Sequence, residues 1–212
     1  MTTMSPSPTL AVAALPARGI FADRRVREAV LIIGAIGLLS LAARTSFSVP
    51  FSADRTGKLV PITGQTFGVL FIAISLGARR SLAAVSGYLA IGLLGAPVYA
   101  AGASGSAILF TGATSGFLWG FLLAAVVVGF LADRGLDRGP WLYATLLAGN
   151  ACIYAVGLPV LHLWLSSHNV HLSVWNAGLW PFIPGDLAKL LAAAVAVPGG
   201  WAILNRVKGE SR

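Results

Sequence analysis

The sequence predicts an all-α integral membrane protein, a bundle of six transmembrane helices with both termini in the cytoplasm. The first observation behind this prediction is composition: 57% of the 212 residues are hydrophobic and only 10% are charged, against about 25% charged residues in an average soluble domain. The mean hydropathy is +0.82. A soluble domain of this size leaves too many residues in contact with water to hide so much apolar surface. The composition therefore excludes a cytosolic enzyme, a secreted disulfide scaffold and a disordered chain.

The second observation is a series of apolar runs, each long enough to cross a bilayer. A helix that spans roughly 30 Å of hydrocarbon needs about 20 residues. The runs divide the chain into an N-terminal tail (1–27), a transmembrane domain (28–204) and a C-terminal tail (205–212), both tails being assigned to the cytoplasm. The predicted spans are residues 28–45, 61–78, 82–100, 116–132, 140–165 and 179–204.

The third observation is an asymmetric distribution of positive charge. Six spans place eleven of the fifteen Lys and Arg residues on the side shared by the termini and the two short loops, and three on the opposite side. Such an excess marks the cytoplasmic side, so the net charge of +8 indicates topology in the inner (cytoplasmic) membrane and not nucleic-acid binding. The eleven residues are Arg18, Arg24, Arg25, Arg27, Arg79, Arg80, Arg134, Arg138, Arg206, Lys208 and Arg212.

The loops on the outer side are longer and more varied than the inner ones. Residues 46–60 begin with an amphipathic segment, Ser46–Phe51, that suits the headgroup layer. Residues 101–116 are rich in Gly, Ser and Thr, and residues 166–178 hold two histidines and a tryptophan. Because loops on a rigid scaffold usually carry function, we expect the functional face to be the outer one.

An acid and a base near the outer end of the sixth span are the strongest candidate site. Asp186 and Lys189 are three residues apart, so they share one helix face, and each is costly inside a membrane. One interpretation is a mutually neutralising pair with Lys189 extended toward the headgroups. The other is a ligand site, in which Lys189 attracts an anionic group and Asp186 accepts hydrogen bonds from N–H donors.

Two further stretches bring polar groups to the outer side. Thr63, Gln65 and Thr66 lie at the start of the second span, either as hydrogen-bonding contacts between helices or facing the same cavity as Asp186. Residues 110–117, Phe-Thr-Gly-Ala-Thr-Ser-Gly-Phe, form either an ordinary connector or a loop that binds a small polar ligand through backbone N–H groups. The hydroxyl candidates in that loop are Thr111, Thr114 and Ser115. Gly116, Gly120 and Ala124 follow at four-residue steps and predict close helix packing.

Other chemistries lack the residues they need. Gly57-Lys58 is followed by leucine, so no phosphate-binding loop is present. His168 and His171 have no neighbouring carboxylate or cysteine in the sequence, which makes a weak metal site, and the single cysteine, Cys152, permits no internal disulfide. No cofactor, metal site or catalytic residue is predicted.

Taken together, five stretches resemble the BioY family, the biotin-specific substrate-binding components of energy-coupling-factor transporters. They lie in the family's order between residues 60 and 189: Val60–Phe67, Tyr88–Tyr99, Thr111–Phe117, Tyr154–Pro159 and Gly185–Lys189. In two places the chain departs from the family pattern. The loop usually reads close to G-P-T-G-G-Y but here is Gly112–Phe117 with Ser115 and Phe117, and Gly34, Gly37 and Ser40 replace spaced alanines on the first helix.

The resemblance implies a six-helix bundle that captures biotin near the outer face, embedded in membrane lipid. It also implies two kinds of partner, a transmembrane coupling (T) subunit and ATP-hydrolysing subunits, although some family members occur without dedicated partners. The oligomeric state, including a homo-oligomer, stays open. The implied substrate-binding residues are Asp186, Lys189, Gln65, Tyr88, Thr111, Thr114, Ser115 and Tyr154.

Three other functions remain as alternatives. The first is a substrate-binding component for another vitamin, with the same fold and a different pocket. The second is a proton-driven secondary transporter, for which Asp186 is the best-placed acid. The third, from a different class, is a membrane enzyme that uses Asp186 and the outer histidines, His168 and His171.

Overall fold

The computed structural model describes residues 9–14, 19–47, 62–207 and 209, and within them the chain is almost entirely helical. The all-α fold class is therefore confirmed. A two-residue antiparallel pair, β1 (Ser46–Phe47) with β2 (Ile62–Thr63), joins the two ends of the segment between the first two predicted spans. The helices are α1 (Leu10–Ala14), α2 (Arg24–Arg44), α3 (Gln65–Leu76), α4 (Ala78–Leu93), α5 (Ser115–Asp133), α6 (Trp141–Ser167), α7 (Val174–Gly178) and α8 (Ile183–Val207).

Four of the described segments are long and apolar enough to cross a membrane: α2, α5, α6, and residues Val174–Arg206, which contain α7 and nearly all of α8. The second and third predicted spans form shorter helices. α3 has 12 residues and α4 has 16, which correspond to about 18 and 24 Å of rise. Glycines with left-handed backbone angles explain the early ends: Gly77 follows α3 with φ +77° and Gly95 follows α4 with φ +101°.

The turn between α3 and α4 depends on close contact with the end of α5. The Asp133 carboxylate accepts a hydrogen bond of 3.0 Å from the backbone N–H of Ala78, which places a negative charge at the N-terminus of α4, where the helix dipole favours it. A Cβ atom at Gly77 would collide with the same carboxylate, and one at Gly129 would lie 2.5 Å from the Ala78 nitrogen. Both glycines are therefore required for this turn to fit against α5.

Helix α5 packs more extensively against α6 than against any other described element. A Cβ atom at Gly116 would lie 2.9 Å from the Val156 carbonyl oxygen, and one at Gly120 would lie 2.8 Å from the Ile153 carbonyl oxygen. Ala124, the next residue on the same face, is fully buried. The predicted ridge of small residues is thus confirmed as a site of close helix packing.

One end of the bundle holds described cations that the sequence analysis assigns to the cytoplasmic side, and we call it the basic end. Arg80 at the start of α4 forms a bidentate ion pair with Glu28 at the start of α2, with two N–O distances of 2.6 Å. Arg138, in the turn after α5, lies 3.9 Å above the ring of Trp201 near the end of α8. Because α3, α5 and α8 all end here, their N-termini lie at the opposite end.

The N-terminal region contains more ordered structure than the sequence indicates. Helix α1 lies within the predicted tail and packs against α3 and α8, and α2 begins at Arg24 because the Asp23 side chain caps it through the Arg25 N–H at 2.7 Å. The following sequence features lie outside the described residues: most of the amphipathic segment Ser46–Phe51, Pro61, and the cations Arg18, Arg55, Lys58, Lys208 and Arg212.

Candidate functional site

A partly enclosed cavity of about 250 Å³ lies at the end of the bundle opposite the basic end. The first turns of α3, α5 and α8 border it, together with the middle of α6 and the segment that follows α4. Its polar lining consists of Thr63, Gln65, Thr66, Tyr99, Thr114, Tyr154, Asp186 and Lys189. Its apolar lining consists of Ala100, Ala101, Ala103, Ile108, Phe117, Leu118, Phe121, Ile153 and Phe182.

Asp186 is the centre of the polar network in this cavity. It lies in the first turn of α8 and is only 5% exposed. One carboxylate oxygen accepts from the Lys189 ammonium at 3.1 Å. The other accepts a short hydrogen bond from the Tyr154 hydroxyl and faces the Asn150 amide nitrogen at 3.5 Å. Asp186 therefore holds together side chains from α6 and α8.

Lys189 retains capacity for a ligand. Its side chain is 17% exposed, and its ammonium donates to Asp186 and, at 3.3 Å, to the Thr66 hydroxyl. An ammonium has three donors, so these two contacts within the described part of the chain leave one N–H at the cavity. The ion pair proposed from the sequence forms, and it borders a cavity instead of facing lipid.

Gln65 belongs to a second network on the α3 side of the cavity. It is 4% exposed, and its amide nitrogen donates to the Tyr88 hydroxyl at 2.8 Å. Its amide oxygen accepts from the Thr63 hydroxyl at 2.8 Å. These bonds fix a polar side chain inside an otherwise apolar helix, as buried polar groups require.

The remaining walls consist mostly of aromatic rings and of the alanine-rich segment that follows α4. The Phe117 and Tyr154 rings meet edge to face with centroids 6.2 Å apart, a favourable aromatic geometry. On the other side, Ala101 adopts a left-handed backbone with φ +54°, which is uncommon for a residue with a Cβ atom. This conformation turns the segment after α4 back over the cavity.

The structure brings together five of the eight residues predicted from the sequence: Gln65, Thr114, Tyr154, Asp186 and Lys189. The other three do not line the cavity. Tyr88 is fully buried behind Gln65, and Ser115 is 2% exposed at the start of α5. Thr111 is exposed, and its hydroxyl donates to the Ala107 carbonyl at 3.0 Å, because residues 107–111 form a short π-type helical turn instead of an open loop.

Sequence reasoning missed Asn150 and did not single out Tyr99 as a lining residue. Asn150 lies one helical turn before Tyr154, so the two share a face of α6, and a lone amide in an apolar span was a usable signal. Tyr99 is 1% exposed, and its hydroxyl donates to the Leu89 carbonyl at 2.6 Å. Its place in the cavity depends on the turn after α4, which local sequence patterns do not specify.

The contacts of His168 within the described residues are local. The His168 ring stacks on Trp164 with centroids 4.2 Å apart, and its Nδ1 lies 2.9 Å from the Trp164 carbonyl oxygen. Within residues 9–14, 19–47, 62–207 and 209, no three His, Cys, Asp or Glu side chains come together as a metal site would require.

Comparison with solved structures supports the fold. A crystal structure at 2.1 Å of the S-component for biotin from an ECF-type ABC transporter superimposes with a TM-score of 0.67 at 22% identity, covering 89% of this chain and 94% of the other. At this level of identity the match establishes the architecture, an S-component fold.

Sequence comparison extends over most of the chain. The biotin transporter BioY of Rhodobacter capsulatus is 35% identical over 178 residues, which cover 78% of this chain and 89% of the relative. The biotin transporter BioY of Thermotoga maritima is 38% identical over 136 residues, covering 64% and 78%. The profile of the BioY family matches residues 11–206. These matches confirm the sequence prediction of a transport protein and not an enzyme, and the chain belongs to the BioY family.

Proposed function

We propose that this chain captures biotin at the outer face of the cytoplasmic membrane and serves as the substrate-binding subunit of an ECF-type transporter. The observation that carries the proposal is the pair of buried Asp186 and partly exposed Lys189 beside a cavity, with one Lys189 N–H left at that cavity. Membership of the BioY family, whose relatives are named biotin transporters, supports the choice of ligand.

The chemistry of the cavity complements that of biotin. Biotin carries a ureido ring with N–H donors and a carbonyl acceptor, an apolar fused bicycle and a carboxylate tail. The cavity offers a cation in Lys189, a carboxylate in Asp186, an amide in Gln65 and hydroxyls in Thr114 and Tyr154. Its larger apolar share suits the bicycle and the aliphatic chain, as in most small-molecule sites, where a few placed polar groups fix orientation.

We also propose a six-segment arrangement with both termini in the cytoplasm. Helices α2, α5, α6 and α8 span the bilayer, and α3 and α4, with the segments next to them, complete the bundle. The clustering of Arg80 and Arg138 with other cations at the basic end supports this orientation, since cytoplasmic ends of membrane proteins are enriched in Lys and Arg. The cavity at the opposite end then opens toward the outside.

Energy for uptake comes from other subunits in this proposal. The sequence holds no phosphate-binding loop, so ATP hydrolysis is assigned to separate ATPase subunits and its transmission to a transmembrane coupling subunit. The match to the S-component fold supports this assignment. Surrounding membrane lipid contacts the exposed apolar faces of the helices, for example at Val195 and Ile203 of α8.

Competition binding tests the ligand directly. The purified chain in detergent is incubated with labelled biotin and an excess of unlabelled biotin, riboflavin or thiamine. We expect biotin alone to displace the label. Displacement by riboflavin or thiamine, or no specific binding, would contradict the proposal. Labelled uptake that persists in cells without any coupling subunit and stops with an uncoupler would instead favour a proton-driven transporter.

A further inference from the structure

Tyr88 is completely buried and connects two parts of the cavity that are distant in sequence. Its hydroxyl lies 2.8 Å from the Gln65 amide nitrogen on α3 and 2.9 Å from the Val98 carbonyl oxygen in the segment after α4. The side chain is 0% exposed and is not part of the cavity lining. Tyr88 therefore touches the residues around the ligand space without reaching that space itself.

The direction of these hydrogen bonds is fixed by chemistry. A backbone carbonyl only accepts, so the single Tyr88 hydroxyl proton points to Val98, and the Tyr88 oxygen must accept from Gln65. The Gln65 amide is thereby oriented with its nitrogen toward Tyr88 and its oxygen toward the Thr63 hydroxyl, which donates to it at 2.8 Å. Tyr88 thus determines which way the Gln65 amide is turned, with its N–H donors toward Tyr88 and its oxygen acceptor toward Thr63.

The same hydroxyl holds the segment after α4 in place. Val98 immediately precedes Tyr99, which lines the cavity together with Ala100, Ala101 and Ala103. The Tyr88 and Tyr99 rings also meet edge to face with centroids 5.7 Å apart. A loss of the Tyr88 hydroxyl would leave the buried Gln65 amide N–H and the partly buried Val98 carbonyl without these partners, which is unfavourable for both.

We propose that Tyr88 is a positioning residue for ligand binding: it sets the orientation of the Gln65 amide and the place of the 98–103 segment, and does not contact the ligand. The proposal rests on the biotin site proposed above. It assigns to Tyr88 an indirect role, in contrast to the direct contact expected from the sequence. Its effect on affinity therefore passes through Gln65 and through the 98–103 segment, and not through contact with the ligand.

A double-mutant cycle tests this coupling. Tyr88→Phe keeps the ring and removes only the hydroxyl, and we expect it to weaken biotin binding about tenfold, the effect of about one buried hydrogen bond. Gln65→Asn keeps an amide at the cavity but is one methylene too short to reach Tyr88. In that background the route through Gln65 is already broken, so we expect Tyr88→Phe to cost about threefold or less, the part that its hydrogen bond to Val98 carries, since coupled neighbours are not additive. A full tenfold loss in both backgrounds would overturn the proposal.

Tyr143→Phe is the matched control, because Tyr143 lies near the start of α6 and is 54% exposed. It should leave the affinity for biotin unchanged. Thermal unfolding of each variant without ligand is measured in parallel. If Tyr88→Phe loses its cooperative transition, Tyr88 serves the stability of the bundle and the proposal is overturned. If the unmodified chain binds no biotin, the proposed function fails as well; if it binds and Tyr88→Phe binds equally well, only the Tyr88 proposal fails.

Discussion

Replacement of Lys189 by alanine tests the contribution of the one cation among the described residues that line the cavity. The substitution removes an ammonium that lies 3.1 Å from the Asp186 carboxylate and 3.3 Å from the Thr66 hydroxyl. It leaves the cavity walls in place, because Asp186 keeps the hydrogen bond from the Tyr154 hydroxyl. We therefore expect the variant to fold and to lose affinity for biotin.

The size of that loss follows from the hydrogen bond that Lys189 still has to offer. A hydrogen bond to a charged group contributes about 1.5–3 kcal/mol, which corresponds to about 10- to 150-fold in the dissociation constant. Removal of Lys189 also leaves the Asp186 side chain, only 7% exposed, without its counter-charge. Because both effects act against a bound carboxylate or carbonyl, the upper part of this range is the expected result.

Arg206→Ala supplies the control for charge and for helix α8. Arg206 is the basic residue in the last turn of the same helix and is exposed. It lies 17 residues beyond Lys189, or about 25 Å along the helix axis. Titration calorimetry of both purified variants with biotin should show the loss for Lys189→Ala only. An affinity within about twofold of the parent chain for Lys189→Ala would refute the assignment of the site.

Three further comparisons follow from the same structure. Tyr154→Phe removes a donor to Asp186, and we expect about tenfold weaker biotin binding in equilibrium titrations. Thr114→Val should weaken binding because Thr114 lines the cavity, whereas Thr111→Val should not, because Thr111 is exposed and lies outside it; equal effects would contradict this geometry. Gly120→Ala should lower the free energy of unfolding by about 1–3 kcal/mol, because the added Cβ would lie 2.8 Å from the Ile153 carbonyl oxygen. Gly37→Ala should leave thermal unfolding unchanged, because no atom lies within 4 Å of the added Cβ.

The features of the fold that depend on composition and on local periodicity could be predicted from the sequence. The apolar runs predict the helices, and the alternation of Arg-rich and Arg-poor loops predicts which helix ends come together. Contacts between helices set the finer boundaries. Gly77 ends α3 with its φ of +77°, and only glycine fits there because Asp133, 56 residues away in sequence, occupies the space where a side chain would lie.

Residues of the candidate site could be predicted from the sequence where their side chains carry a large free-energy cost inside a membrane. Asp186, Lys189 and Gln65 are conspicuous because charges and amides are expensive in apolar helices. Tyr88 and Tyr99 have no such cost, since both are aromatic residues near the end of α4. Tyr99 nevertheless lines the cavity, whereas Tyr88 lies behind Gln65 and accepts a hydrogen bond from it. The turn after α4 decides between these roles, and it depends on the left-handed Ala101 and on hydrogen bonds to Leu89 and Val98.

A crystal structure of the purified chain grown with biotin would examine the central claim most directly, namely that the acid–base pair Asp186–Lys189 of α8 lines the space where the vitamin is held. We expect biotin in the cavity bordered by α3, α5, α6 and α8, with the Lys189 ammonium within hydrogen-bonding distance of one of its oxygens. Biotin bound elsewhere on the chain, or Lys189 and Asp186 both directed away from the ligand, would contradict it.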